Sequence, residues 1–386
     1  MDKIKQTIAD TFLELADGLE TGSFKKANIA LIGIGSEHGE ENTMAAAIRA
    51  ANNGNHVFFI GSSEAPEGSG VETLKAETQE EAFKIMEELL DSGKADGAVA
   101  MHYPFPIGVS TVGRCVAPAN GKEFFLATTT GTSSTDRIEG MILNAIYGIA
   151  TAKACGVENP TVGILNLDGG RQVEIALKQL AKNGYDITFA ESSRADGGCI
   201  LRGNDVLKGS ADVIVCDTLT GNVIIKMLAA ANSGGSYETL GYGYGPGIGQ
   251  DYDRLILIIS RASGAALIAN AIDYAGELSQ GGVFAKVKAE FEAANKAGLE
   301  DLLAERKAKD KGAVEEEEVK APPKEVVTGE ILGVDVMDLN DASKALWKAG
   351  IYAEEGMGCT GPVIRVNDAK VEEARKVLVE AGFISE

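Results

Sequence analysis

A cysteine in a glycine-rich segment is the residue best suited to nucleophilic chemistry. Cys359 lies in GMGCTGP, residues 356–362, where three glycines and a proline leave few side chains to screen its sulfur. The backbone N–H groups of Gly358, Thr360 and Gly361 could stabilise a thiolate or the oxyanion of a tetrahedral acyl intermediate. The segment therefore predicts an exposed, nucleophilic thiol.

The surroundings of this cysteine leave a second interpretation open. Glu354 and Glu355 disfavour a thiolate through like-charge repulsion, and residues 326–386 contain no histidine that could act as a base. A small residue packed in a tight turn would fit the same sequence. The other cysteines are weaker candidates, because Cys216 lies in the apolar run VIVCD and Cys155 at a helix end, where cysteine is mostly a small hydrophobic residue.

The segment DTLTGN, residues 217–222, is a candidate phosphate site. It follows an apolar run that predicts a buried strand, and it opens the predicted helix VIIKMLAA. The amides of such a turn and a hydroxyl group suit a phosphate or an acyl phosphate, so we expect Thr220, Gly221 and Asn222 to bind one. The alternative is an ordinary strand-to-helix turn with a capping threonine.

Two more segments place polar residues at predicted strand-to-helix turns. GIGSEHG, residues 33–39, is weak evidence for NAD, because His38 replaces the last glycine of G-x-G-x-x-G. Ser36 and His38 are instead candidate phosphate or acyl-phosphate contacts, although His38 also fits a solvent-facing turn. The hydroxyl-rich run TTTGTSSTD, residues 128–136, ends at an expected helix N-cap, and Arg137 just beyond it could pair with phosphate.

The elements that must position these residues alternate along the chain. From residue 27, short apolar runs alternate with amphipathic stretches, a rhythm that predicts an α/β fold with mostly parallel sheets. The pattern of strands and helices that begins at IALIGIG is repeated from VGILNLDGG onwards. This internal similarity suggests two related lobes of approximately 27–155 and 156–306. Chance similarity between βαβ units is the alternative. The turns at the carboxyl ends of the strands should face one cleft.

The rest of the chain divides by composition. We predict an amphipathic helix over residues 1–26 and a charged, proline-bearing linker over residues 307–325. Residues 326–386 are predicted to form a small α/β module around Cys359. Residues 236–254 are too glycine-rich for regular structure, so they predict either a mobile lid or a long irregular connection.

Composition excludes several classes of function. The 386 residues carry a net charge of −21, which opposes binding to nucleic acid, and 45% of them are hydrophobic, as in a soluble globular protein. No apolar run is long enough for a membrane span, and the N-terminus does not resemble a signal peptide, so we expect a cytoplasmic protein. Five scattered cysteines without a CxxC pair indicate neither a disulfide framework nor a zinc site.

GNDVLKG followed by ADVIVCDTLTGNV, residues 203–209 and 211–223, resembles the phosphate acyltransferases of phospholipid synthesis. The resemblance extends more weakly from about residue 27 to 280. It implies the two-lobed α/β fold of the phosphate acyltransferase and acetyltransferase type, and the conversion of acyl thioesters and phosphate into acyl phosphates. Asp168-Gly169-Gly170-Arg171-Gln172 replaces an acidic, lysine-containing stretch of that family, which argues against long acyl-carrier-protein substrates.

The whole chain, including the acidic linker and GMGCTGP, is similar to the alpha subunits of component C of glycine/sarcosine/betaine reductase complexes. This resemblance implies that the selenoprotein component A and the beta subunit of component C are partners. It also implies that Cys359 carries acetyl as a thioester and that phosphate cleaves it to acetyl phosphate, with Gly358, Thr360 and Gly361 supporting the loop. Such chemistry requires no metal or organic cofactor, and we expect none.

Two alternatives to this reaction stay open. The chain could be a noncatalytic carrier whose partner subunit performs the chemistry, or it could make acyl phosphate for lipids from long acyl thioesters. In the reductase interpretation the linker would let the Cys359 module travel between component A and the phosphate cleft. Deletion of residues 307–325 should then abolish turnover while leaving Cys359 open to alkylation.

Overall fold

The computed structural model describes residues 12, 27–194, 198–311, 319–334, 338–358 and 361–384. The predicted N-terminal helix, residues 1–26, lies outside these residues except for Phe12. Cys359 and Thr360 also lie outside them.

Fifteen strands occur within the described residues. They are β1 (Asn28–Ile32), β2 (His56–Gly61), β3 (Val71–Lys75), β4 (Gly97–Ala100), β5 (Val109–Val116), β6 (Glu123–Thr132), β7 (Thr161–Leu165), β8 (Thr188–Phe189), β9 (Ile200–Leu201), β10 (Val213–Val215), β11 (Gly245–Ile248), β12 (Ile256–Ile258), β13 (Gly329–Leu332), β14 (Ala353–Gly358) and β15 (Gly361–Val366).

The helices of the described residues mostly follow strands. They are α1 (Gly39–Asn52), α2 (Gln79–Asp91), α3 (Arg137–Ala154), α4 (Gly170–Lys182), α5 (Gly203–Lys208), α6 (Thr218–Ala230), α7 (Ala265–Gln280), α8 (Val283–Lys296), α9 (Leu299–Lys311), α10 (Leu339–Lys348) and α11 (Val371–Glu380).

One large sheet forms the main body. Its strand order is β3-β2-β1-β4-β12-β11-β5-β6-β10-β7-β8, with β9 also paired to β7. The pairs on either side of the centre are parallel, whereas β12-β11, β11-β5 and β5-β6 are antiparallel. The predicted α/β class with a mostly parallel sheet is therefore confirmed.

The centre of this sheet pairs strands that are distant in the sequence. β12 comes late in the chain but pairs with β4, and β6 precedes residue 155 but pairs with β10. Elements from both halves of the sequence thus cross the expected boundary. β11, in the tract expected to be a lid or an irregular connection, is a buried strand between β5 and β12.

Glycine makes this central pairing possible. Gly245 has a φ of 89°, and a Cβ atom there would lie 1.8 Å from the backbone oxygen of Val112. A side chain at this position would therefore prevent β11 from packing against β5.

Helices cover both faces of the sheet and bury two hydrophobic layers. One layer packs beneath α1, α3, α7 and α8, and the other beneath α2 and α6. Helix α3 is almost entirely buried, which accounts for its nearly continuous apolar sequence. Its N-terminus is capped by Asp136, whose carboxylate accepts a hydrogen bond from the Glu139 amide at 2.6 Å, as the sequence predicts.

A separate three-stranded antiparallel sheet, β13-β15-β14, forms the C-terminal module together with α10 and α11. Helix α9 continues to Lys311, so the first five residues of the predicted linker are helical. The far end of that linker is held to the module by ion pairs of Lys324 with Glu354, at 3.3 Å, and of Glu325 with Lys370, at 2.6 Å. The described residues include no helix long and apolar enough to cross a membrane.

Candidate active site

A cleft of about 370 Å³ lies where β6 and β10 end and where α3 and α6 begin. We call it the first cleft. Its position at the carboxyl ends of parallel strands is where α/β folds bind ligands. It is lined by Thr128, Gly131, Thr132, Ser133, Ser134, Arg137, Gly140, Met141, Asn144, Asp217, Thr218, Leu219 and Thr220.

An ion pair closes one wall of the first cleft. The Arg137 guanidinium lies 2.8 Å from the Asp217 carboxylate and 3.6 Å from that of Asp168. Asp217 also accepts hydrogen bonds from the Thr220 amide, at 2.9 Å, and from its hydroxyl group, at 3.0 Å. Burial alone would raise the pKa of Asp217, but these hydrogen bonds and the Arg137 charge outweigh it and lower the pKa.

This arrangement changes how Thr220 and Arg137 are understood. Asp217, which sequence reasoning did not single out, is the N-cap of α6 and occupies both polar groups of Thr220. The single cation of the first cleft among the described residues, Arg137, is balanced by Asp217. The first cleft therefore offers little net positive charge to a phosphate.

Gly221 and Asn222 join α6 to β6. A Cβ atom at Gly221 would lie 1.7 Å from the backbone oxygen of Thr128, so only glycine allows α6 to pack this closely. The Asn222 side-chain amide donates to the backbone oxygen of Thr129 at 3.1 Å. Both residues thus hold the start of α6 against the end of β6.

The floor of the first cleft is a buried network of short polar side chains. Ser110 donates to the Asn144 side-chain oxygen at 3.0 Å, and Ser133 hydrogen-bonds to the same oxygen. The Asn144 amide in turn donates to the backbone oxygen of Cys216 at 3.1 Å. These contacts fix the floor rigidly, because each buried polar group has a partner.

A second cleft, of about 390 Å³, lies beyond the carboxyl ends of β4 and β12. It borders the first cleft at the start of α6, since Thr220 lines the first and Asn222 the second. It is lined by Glu37, Met101, His102, Tyr103, Phe105, Thr130, Asn222, Lys226, Tyr244, Ile258, Ile259, Ser260 and Arg261.

The second cleft differs from the first in having a cation without an ion pair among the described residues. Lys226 and Arg261 line it together with a single acidic residue, Glu37. Arg261 is exposed and makes no ion pair within the described part of the chain. Lys226 is paired with Glu238 at 3.4 Å, so Arg261 is the cation of this cleft that can attract a small anion.

His102 is a third basic side chain in the second cleft. Burial lowers its pKa, the Arg261 charge lowers it further, and Glu330 of the C-terminal module opposes the shift. His102 therefore faces the cleft mainly as a neutral imidazole at pH 7. The electrostatic effect of Glu330 also indicates that the module lies close to this cleft.

Ser36 and His38 lie apart from the first cleft, in the turn between β1 and α1, on either side of Glu37. The Ser36 hydroxyl accepts a hydrogen bond from the His38 amide at 3.1 Å, which is a local turn contact. The His38 ring is exposed and lies edge-on to Tyr237, with 5.5 Å between ring centroids. The structure thus brings Arg137 and Thr220 together in one cleft and Asn222 into the other.

The C-terminal module contacts the main body beside the first cleft. β14 and β15 pair up to Gly358 and Gly361, and Cys359 and Thr360 between them lie outside the described residues. Met357, two residues before Cys359, contacts Thr132, with 3.7 Å between its sulfur and the threonine hydroxyl. Ile107 of the main body packs against the hydrophobic core of the module.

The four described cysteines are poor nucleophiles. Burial raises the pKa of the Cys115 and Cys155 thiols to about 12 and that of Cys199 to about 11, and it raises the pKa of Cys216 still further. A protonated thiol is a weak nucleophile. Among the described residues, no group of three or more His, Cys, Asp or Glu side chains is arranged to hold a metal ion.

Sequence reasoning missed Lys226, Arg261 and His102. The signal was present, because His102 and Arg261 each follow a short apolar run that predicts a strand, and Lys226 lies one turn after Asn222 on a predicted helix. Their shared cleft depends on β12 pairing with β4, which the order of elements in the sequence does not indicate.

Three comparisons with known proteins found similar chains. A family model described as "Fatty acid synthesis protein" matches residues 27–365. A phosphate acyltransferase from Crocosphaera subtropica is 27% identical over 247 residues, covering 53% of this chain and 69% of that one. The solved branched-chain phosphotransacylase from Enterococcus faecalis V583 is 15% identical, with a TM-score of 0.47 over 65% of this chain and 99% of that one.

A full-length match narrows the assignment. The alpha subunit of glycine/sarcosine/betaine reductase complex component C from Peptoclostridium acidaminophilum is 60% identical over 388 residues and covers 100% of both chains. The chain belongs to the fatty acid synthesis protein family and, within it, to the alpha subunits of reductase component C.

Proposed function

We propose that this chain holds an acetyl group as a thioester on Cys359 and that phosphate cleaves it to acetyl phosphate. The contact between Met357 and Thr132 carries the proposal, because it puts the strand that leads to Cys359 against the first cleft. The two clefts meet at the start of α6, so an acyl group entering the first and a phosphate bound in the second could react there.

The reaction balances without an added reactant. A phosphate oxygen attacks the thioester carbonyl, a C–O bond forms, the C–S bond to Cys359 breaks, and the sulfur leaves as a thiolate that is then protonated. Orientation of the two reactants supplies much of the rate, and backbone N–H groups of Gly358, Thr360 and Gly361 would stabilise the oxyanion. A thiolate is a good leaving group, so the step requires no metal or organic cofactor.

The second cleft is the better phosphate site of the two. Arg261 and Lys226 would contact the phosphate oxygens, and the neutral His102 would accept a hydrogen bond from a protonated phosphate oxygen. The first cleft, whose cation is paired with Asp217, would accept the uncharged acetyl group. Thr220, Gly221 and Asn222 then shape the junction of the clefts by fixing the start of α6.

The family assignment supports a place for this chain in a reductase complex. We propose that it works in the cytoplasm with the beta subunit of component C. It would receive acetyl after the selenoprotein component A releases it, and acetyl phosphate would leave as the product. The amino-acid substrate would be chosen by other components.

Mass spectrometry after brief exposure to acetyl phosphate tests this function. We expect acetylation at Cys359 alone, its removal by phosphate or arsenate, and no adduct in Cys359→Ala. Arg261→Gln should be acetylated poorly and should release acetyl slowly. Arg49→Gln, in the last turn of α1 and in the lining of neither cleft, should behave as the unsubstituted chain.

Other outcomes would favour other functions. An adduct on another cysteine, or none in the presence of the beta subunit, would contradict the Cys359 thioester. Acetylation from a small thioester that neither phosphate nor arsenate reverses would identify a carrier without catalysis. Activity confined to long acyl-carrier-protein thioesters would place the chain with the lipid enzymes.

A further inference from the structure

A buried carboxylate lies behind the second cleft. Glu238 is 2% exposed, and its carboxylate accepts hydrogen bonds from the Tyr244 hydroxyl at 2.7 Å and from the Ser263 hydroxyl at 3.1 Å. The Lys226 ammonium lies 3.4 Å from the same carboxylate. Glu238 therefore touches three different segments around the cleft.

Two of these contacts hold residues that line the second cleft. Lys226 and Tyr244 are both lining residues, and the Lys226 ammonium lies 5.6 Å from the centre of the Tyr244 ring. The third contact, Ser263, accepts a hydrogen bond from the Ser260 amide at 3.0 Å and so closes the turn that carries Arg261. Glu238 thus holds Lys226 directly and holds the turn that carries Arg261 through Ser263.

The charges on these residues are unequal in effect. The Lys226 charge is balanced by Glu238, although its side chain is 54% exposed, whereas Arg261 has no carboxylate partner among the described residues. An anion in the second cleft would therefore be attracted strongly by Arg261 and only weakly by Lys226, because the Glu238 charge offsets that of Lys226.

We propose that Glu238 is the residue that sets the affinity of the second cleft for phosphate, by balancing the charge of Lys226. This inference rests on the proposed function, in which phosphate occupies that cleft. Glu238 does not touch the phosphate and acts through Lys226.

Isothermal calorimetry with inorganic phosphate on the full chain tests the proposal. Glu238→Gln keeps the size of the side chain and one acceptor oxygen, turns the other terminal atom into a donor and removes the charge. We therefore expect the Kd for phosphate to fall about threefold to tenfold. A residue needed only for the shape of the cleft would give the opposite sign. In Glu238→Gln/Lys226→Gln the charge balance is restored, and the Kd should return to within about twofold of the original value.

A comparison of the two cations provides a measurement that does not need Glu238→Gln to fold. Lys226→Gln should weaken phosphate binding less than Arg261→Gln does. Equal losses in these two variants would overturn the proposal. So would an unchanged or raised Kd in a folded Glu238→Gln, as judged by its circular dichroism and Tm.

The same titrations separate this inference from the proposed reaction. Phosphate binding with the expected shifts, but without acetyl phosphate formation, would refute the reaction and sustain the role of Glu238. Absence of phosphate binding by the unsubstituted chain would overturn both. If the chain forms acetyl phosphate normally but Glu238→Gln has the same Kd for phosphate as the unsubstituted chain, only the role of Glu238 is overturned.

Discussion

The hydroxyl group of Thr132, the last residue of β6, lies 3.7 Å from the sulfur of Met357 in β14, 225 residues further along the chain. This contact joins the C-terminal module to the first cleft. The strand that leads to Cys359, the nucleophile predicted from the sequence, therefore contacts a residue that lines the first cleft.

Shortening Met357 should slow the transfer of acetyl from Cys359. Met357→Ala removes the side chain that contacts Thr132, so the module would lose packing at the cleft, and we expect release of acetyl to arsenate to slow about threefold to tenfold. Single-turnover mass spectrometry measures this rate. Alkylation of Cys359 by iodoacetamide should not change, and an unchanged release rate would show that the contact has no part in transfer.

Neutralising Asp217 should lower stability in a pH-dependent way. Its pKa is lowered in the folded protein, so its ionised form stabilises the fold fully above the unfolded pKa of about 4, and this stabilisation is lost as the pH falls through the lowered folded value. We expect Asp217→Asn to cost about 1–2 kcal/mol at pH 7, because it removes the charge that pairs with Arg137 and that strengthens the hydrogen bonds from Thr220, although asparagine can still cap the helix.

Urea unfolding at pH 7 and at pH 3 measures the effect of Asp217→Asn. The difference from the unsubstituted chain should shrink at the lower pH. Asp168→Asn is the matched control, because the Asp168 side chain is 95% exposed and lies 3.6 Å from the same arginine. Equal losses in the two variants would contradict a stabilising role for the Asp217 charge.

Adding one methyl group at Gly221 should disrupt the junction of the two clefts. Its Cβ atom would lie 1.7 Å from a backbone oxygen, so β6 or α6 must move, and we expect Gly221→Ala to cost about 1–3 kcal/mol or more. Gly203→Ala is the control, since a Cβ atom there meets nothing within 4 Å. Thermal unfolding measures the Tm of both variants, and we expect a lower Tm for Gly221→Ala than for Gly203→Ala. Similar Tm values would contradict the close packing of α6.

The linker should matter for delivery and not for the thiol itself. Deleting residues 312–318 keeps helix α9 and the Glu325–Lys370 ion pair, and we expect it to reduce acetyl phosphate formation from component A at least tenfold. A glycine-serine replacement of equal length should restore activity, because reach and not sequence is required. Unchanged turnover in the deletion variant would refute the travelling module.

Local features of the fold were predictable from the sequence. The start of α3 after Asp136 follows from the capping side chain and the apolar run behind it, and the parallel α/β class follows from the alternation of such runs. These are short-range effects, because caps and periodicity involve residues within a few positions of each other.

The charge arrangement of the clefts was not predictable in the same way. Thr220 was expected to offer a free hydroxyl group and amide, but Asp217, three residues before it, accepts hydrogen bonds from both. Lys226 and Arg261 share a cleft only because of contacts between distant strands. The roles of Cys359 and its neighbours remain predictions, since Cys359 lies outside the described residues.

The position of β12 between β4 and β11 has a consequence for biosynthesis. A ribosome would release the residues up to β4 long before residues 256–258 exist, and until then one side of β4 would present unpaired backbone groups. The first half of the main body thus cannot close its sheet during translation, and fragments that end near residue 155 should aggregate when expressed alone. Folding should depend on contacts between distant segments and be correspondingly slow.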